Sequence, residues 1–181
     1  MIRRRSNRAL QRKQLNRTKT SPAKQLVGFI AKFEPNAGKL IRACRAEMRK
    51  RLPTAIELVY DNYNFFVIGY SPTERASDAI FSIAAASNGV GLAFLQGASL
   101  PDPKKLLQGS GKKNRFIRLP SVALLKTRDV RVLMTAALAQ AKTPLAPNRR
   151  RLSDHQIRFR QAAPAPQDLG QRSDWQLQIT S

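Results

Sequence analysis

Apolar residues first fall into a helical rhythm at Leu26, Val27, Ile30 and Phe33, just after Ser21-Pro22, a pair that reads as an N-cap followed by proline at the first helical position. A second helix is predicted from about Asn36. At 100° per residue, Leu40, Ile41, Cys44, Met48 and Leu52 fall within one arc of about 120°. Lys39, Arg42, Arg45, Arg49 and Lys50 take the remaining side, so this helix is expected to bury one face and present a basic outer one; Pro53 ends it. From Thr54 the residues turn β-branched and aromatic, and a strand is predicted around Phe65 to Gly69. Two apolar runs, 79–85 and 90–95, flank Ser87-Asn88-Gly89 and predict a hairpin, because Asn and Gly tolerate positive φ. A further strand fits 114–119. Thr127 is the expected cap of a last helix whose buried face is Val130, Leu133, Met134, Ala137, Leu138 and Ala141. Helix, helix, four strands, helix argues an α+β domain with an antiparallel sheet of four to five strands packed against helices.

This patterned part spans residues 21–145. Residues 1–20 have too little aliphatic content to offset the entropy of ordering and are expected to form a disordered basic arm, unless they reflect a translation start placed too far upstream. Residues 146–181, with Arg149-Arg150-Arg151 and an Ala-Pro-Ala-Pro run, are expected to form a second disordered segment containing at most a short helix near 153–160.

Charge sharpens the picture. The chain of 181 residues carries a net charge of +22. Residues 21–145 hold nineteen Lys or Arg against eight acids, so half of the excess belongs to the domain rather than to its ends. Two readings stand: a polyanionic partner such as nucleic acid, which releases counterions to Lys and Arg, or a generally alkaline, solubilising surface. No apolar run reaches the roughly 18–20 residues of a membrane span, no secretory signal follows the charged start, and a single cysteine suits a reducing compartment. A soluble cytoplasmic protein is the expectation.

Candidate chemistry is sparse. His155 is the only histidine and lies in the C-terminal segment. Cys44 sits on the apolar arc, where a thiol behaves as a small hydrophobe. Glu57/Asp61 and Glu74/Asp78 would each converge if helical, as an acid–base or cation-holding pair or as partners of the abundant bases. Gly109-Ser110-Gly111-Lys112-Lys113 lacks the earlier glycine and the following Ser or Thr of a nucleotide loop. It fits either a small anion site or a glycine turn into a basic strand. No catalytic or metal site, and no cofactor, is expected. Tyr60, Tyr63, Phe65, Phe66, Tyr70, Phe81, Phe94 and Phe116 offer stacking platforms or core.

The segments Glu57-Leu58-Val59-Tyr60-Asp61-Asn62-Tyr63, Asp78-Ala79-Ile80-Phe81-Ser82-Ile83, Gly91-Leu92-Ala93-Phe94, Gly97-Ala98-Ser99-Leu100-Pro101-Asp102-Pro103 and the glycine-lysine turn running into Asn114-Arg115-Phe116-Ile117-Arg118-Leu119 follow one another in an order that resembles the YdhG-like domain family over residues 54–141. The resemblance implies an antiparallel sheet against helices. It also brings in a comparison with frataxin-type iron carriers, from whose acidic surfaces this basic chain departs. Two functions follow: a non-enzymatic domain engaging nucleic acid or another polyanion through Lys39, Arg42, Arg45, Arg49, Lys112, Lys113, Arg115 and Arg118, or a small-ligand or iron carrier with a pocket lined by Tyr60, Tyr63, Phe65, Gly109 and Gly111.

Overall fold

The computed structural model of the protein describes residues 21–61, 65–147 and 157–160. Helix α1 (Pro22–Ile30) starts where the cap signal places it, with Ser21 Oγ accepting from the Lys24 N–H at 3.3 Å. Its buried residues are Leu26 and Ile30, one turn apart, with Phe29 and Phe33 half-buried beside them. Val27, expected on the same face, is 57% exposed, because it stands 100° round the helix from Leu26. Helix α2 (Pro35–Arg51) buries Gly38, Ile41, Cys44 and Met48, and its C-cap Leu52 donates its N–H to Met48 O. A Cβ on Gly38 would lie 3.3 Å from Ile30 O, so the bare glycine lets the end of α1 press against α2.

Six strands form one sheet: β1 (Ile56–Asp61), β2 (Phe65–Ser71), β3 (Phe81–Ala86), β4 (Gly89–Phe94), β5 (Arg115–Arg118) and β6 (Ile157–Arg160), in the order β5-β4-β3-β2-β1-β6. The α+β class is as expected. Two strands exceed the four predicted individually. The run after Thr54 is a hairpin, β1 against β2 from Ile56↔Ser71 to Asp61↔Phe66. At the other side of β1, Ile157–Arg160 pairs in parallel from Glu57↔Ile157 to Tyr60↔Arg160, which makes the sheet mixed rather than antiparallel. These four residues thus form a strand where the sequence suggested a tail with at most a short helix. The β3–β4 hairpin is present, with Ala86 paired to Gly89, whose φ is +119°.

Strand alternation gives the sheet two faces. Val59, Phe66, Ile68, Tyr70, Phe81, Ile83, Leu92, Phe94, Ile117 and Ile157 join Leu26, Ile30, Ile41, Cys44, Met48 and Leu125 in one core. The last helix, α3 (Arg128–Ala139), adds Val130, Leu133, Met134 and Ala137 to it. Thr127 occupies the N-cap position of α3 but makes no capping bond; its hydroxyl donates to Leu124 O. Phe29 reaches from α1 to the rings of Phe66 and Phe159, at centroid distances of 6.5 and 5.5 Å, and so ties β6 to the helical layer. Among the described residues no helix is long and apolar enough to cross a membrane.

Candidate anion-binding face

Along α2 the buried positions fix which cations face outward. Lys39, Arg42 and Lys50 are exposed, whereas Arg45, Arg49 and Arg51 are half-buried along its flanks. Three bases in the last turn also oppose the negative end of the helix dipole. The one acid within α2, Glu47, accepts from Arg51 at 2.7 Å. Lys39, Arg42 and Lys50 have no acidic partner within reach among the described residues.

Arg45 departs from the exposed role expected of it. It leans over the sheet and grips Glu57 of β1 with both Nε (2.9 Å) and Nη2 (2.7 Å). The Glu57 side chain is 0% exposed and that of Arg45 17%, so this is a buried, bidentate pair. Beside it Tyr70 is sealed in the core, its hydroxyl without a hydrogen-bond partner among the described residues. Burial, with Glu57 adding to it, holds that phenol well above its ordinary range. Cys44, also fully buried, is pushed up to about 11 by burial. Both groups are raised acids, so the folded state keeps them neutral after the unfolded chain has begun to lose their protons. Stability should be fully present below about pH 9 and fall as pH rises towards 11 and beyond. Denaturant midpoints measured at stepwise pH values test this, and a flat profile there would contradict it. The same burial predicts that Cys44 reacts with a disulfide reagent at neutral pH only after denaturant is added.

The other candidate acids do not pair with each other. On strand β1 Asp61 meets Lys32, whereas Glu57 meets Arg45. Glu74 accepts from Arg158 and Arg160, fastening β6, and Asp78 accepts from the Thr73 hydroxyl at 2.7 Å. Among the described residues no three His, Cys, Asp or Glu side chains cluster as a metal would require. His155 lies outside the described residues.

The glycine-lysine segment is a turn into β5, pinned by the reciprocal backbone bonds between Gln108 and Phe116 at 2.8 and 3.0 Å. Gly109, at φ +103°, sits against the Phe116 ring. Lys112 and Lys113 are exposed at its end. Arg115 turns back to the carbonyls of Gly111 and Asn114, and Arg118 donates to Asn88 O at 2.8 Å. No family model, curated protein or solved structure matches this chain. Tyr60 on β1 and Phe65 on β2 lie on the sheet face away from α1 and α2, and Tyr63 falls outside the described residues. Three strands separate β1 from β5. At about 4.8 Å per strand, Tyr60 stands roughly 19 Å from the strand that Gly109 and Gly111 adjoin, so these residues do not line one pocket.

A feature that sequence reading missed is a groove between α1 and α2. It has a volume of about 440 Å³, with Leu26, Val27 and Ile30 on one wall and Arg42, Arg45 and Arg49 on the other. Its one sequence signal is Val27, apolar yet placed beyond the Leu26–Ile30 stripe.

Proposed function

We propose that the protein is a non-enzymatic cytoplasmic binding module, a basic counterpart of the YdhG-like domains, that engages an anionic polymer, nucleic acid foremost. The observation that carries this reading is the outer flank of α2, where Lys39, Arg42 and Lys50 are exposed and without acidic partners among the described residues, while Glu47 is taken by Arg51 and Glu57 is buried beneath Arg45. Such an array favours phosphates through counterion release and carries no base-reading geometry. Lys112 and Lys113 add exposed charge at the β5 corner. Arg45, Arg115 and Arg118 serve the fold instead, through Glu57 and the backbone carbonyls they hold.

Fluorescence anisotropy of a labelled mixed-sequence oligonucleotide at two salt concentrations tests the reading. Micromolar binding at low salt should weaken steeply as salt rises, with little dependence on sequence. Reversing the charge of Lys39, Arg42 and Lys50 together should lower affinity by at least about tenfold and flatten the salt slope by roughly three contacts. Affinity no better than about 1 mM at low salt would sink the proposal.

A further inference from the structure

We propose that the groove between α1 and α2 is a binding site for a small organic anion with an apolar body, such as a medium-chain carboxylate, and that Arg42 receives its charged end. The volume of about 440 Å³ falls inside the roughly 300–1,000 Å³ range of small-molecule sites. Its two walls differ in chemistry. The α1 wall is aliphatic, and it includes Val27, which leaves more than half of its surface to water at no visible gain to the core. The α2 wall is cationic, broken by Ala46, whose methyl leaves room between Arg42 and Arg49.

Two of the guanidinium groups that line the groove have unlike duties. Arg45 spends Nε and Nη2 on Glu57, and with that carboxylate it forms a neutral, fixed floor. Arg42 is exposed and has no hydrogen bond or ion pair with any described residue. Its position is nonetheless defined: a Cβ built on Gly38 would come within 3.4 Å of Arg42 Nη1 and 3.7 Å of Nη2, so the guanidinium lies back over the bare glycine. A planar, always charged fork held at the end of an aliphatic trough suits a carboxylate or phosphate better than a neutral group, because both oxygens can be met at once. The apolar body then covers Val27, the one exposed aliphatic side chain of that wall, which mere phosphate binding leaves wet. This inference differs from the polymer reading in its ligand and in its use of Val27, although Arg42 is common to both, so a short anion and nucleic acid should compete there.

Titration of the isotopically labelled full chain with octanoate, followed by nuclear magnetic resonance, supplies the test. Saturable shifts should gather at residues 26–30 and 42–49. Acetate, which keeps the charge, and octanamide, which keeps the chain, should each bind at least tenfold more weakly. Arg42→Gln should weaken octanoate at least fivefold and Ala46→Phe should block it. Val27→Asp, at an exposed position that cannot unfold the core, should weaken it at least tenfold. The proposal is overturned if acetate or octanamide equals octanoate, if Val27→Asp changes nothing, or if no saturable shift appears by about 10 mM. Oligonucleotide affinity measured on Ala46→Phe, which leaves every cation of α2 in place, reports the polymer reading separately.

Discussion

Arg45→Ala should cost the protein about 3–5 kcal/mol, because it leaves the Glu57 carboxylate buried without its counter-charge. In a chain of this size that corresponds to a melting temperature lower by roughly 10 °C. The reason is asymmetric burial: Arg45 keeps 17% of its side chain in water, whereas Glu57 keeps none. Much of the penalty should vanish in the double variant Arg45→Met with Glu57→Leu, where packed aliphatic side chains replace the ion pair. A parallel change at an exposed pair gives the contrast. Lys32, 60% exposed, meets Asp61 at the surface, and Lys32→Ala should move stability by less than about 1 kcal/mol. Thermal melts of the three variants decide the matter; equal losses at the two pairs would show that burial does not set the energy of the Arg45–Glu57 contact.

Gly97→Ala should be the most damaging single-methyl addition. Gly97 opens a short 3-10 turn (Gly97–Ser99) wedged between β4 and β5. A Cβ there would stand 2.6 Å from Arg115 Cβ and 3.0 Å from both Arg115 N and Phe94 Cβ. None of these is the free end of a flexible side chain. The strand or the turn must move, and with it the bond from Ala98 N–H to Lys113 O that seats the turn on the segment before β5. Overpacking of this kind costs typically 1–3 kcal/mol. Gly28→Ala should do the reverse: it lies within α1, a Cβ there meets nothing within 4 Å, and alanine gains about 0.5–1 kcal/mol over glycine in a helix interior. Denaturant titration of the two variants should move the midpoint in opposite directions.

What the chain's patterning revealed, and what it hid, follows from where each signal lives. The three helices and strands β2 to β5 were legible because each is local: an i, i+3, i+4 stripe or an apolar run next to a turn residue. Strand β1 was hidden because apolar and aromatic residues run on from Thr54 to Tyr70 without a clear turn signal, and Glu57 and Asp61, four apart, read as a pair that would converge on a helix rather than as alternate residues of a strand. That carboxylate is tolerable in the sheet only because Arg45, on another element, reaches it, and no periodicity within either segment announces the contact. Strand β6 does carry a strand signal, the alternation Ile157-Arg158-Phe159-Arg160, but four residues weigh little against the arginines and prolines around them. A domain limit at 145 accordingly omits a strand that packs Ile157 into the core. The cationic side of α2 was readable from its 100° spacing; the groove was not, since it is made by how α1 lies against α2.

The parallel seat of β6 against β1 also sets an order of events during synthesis. Glu57 and Ile157 are partners in register although one hundred positions separate them, and every other pairing in the sheet joins strands that follow one another directly in the chain. The antiparallel meander from β1 to β5 can therefore assemble as it emerges, strand by strand, its longest connection being the 20 residues 95–114 between β4 and β5. At about 5–20 residues per second, the outer edge of β1 stays open for roughly 5–20 s after its own residues are made. For that interval the nascent domain presents an unpaired strand edge of the kind other chains can join, and the arrival of Ile157–Arg160, drawn in by Phe29 and fastened by Glu74, is what retires it.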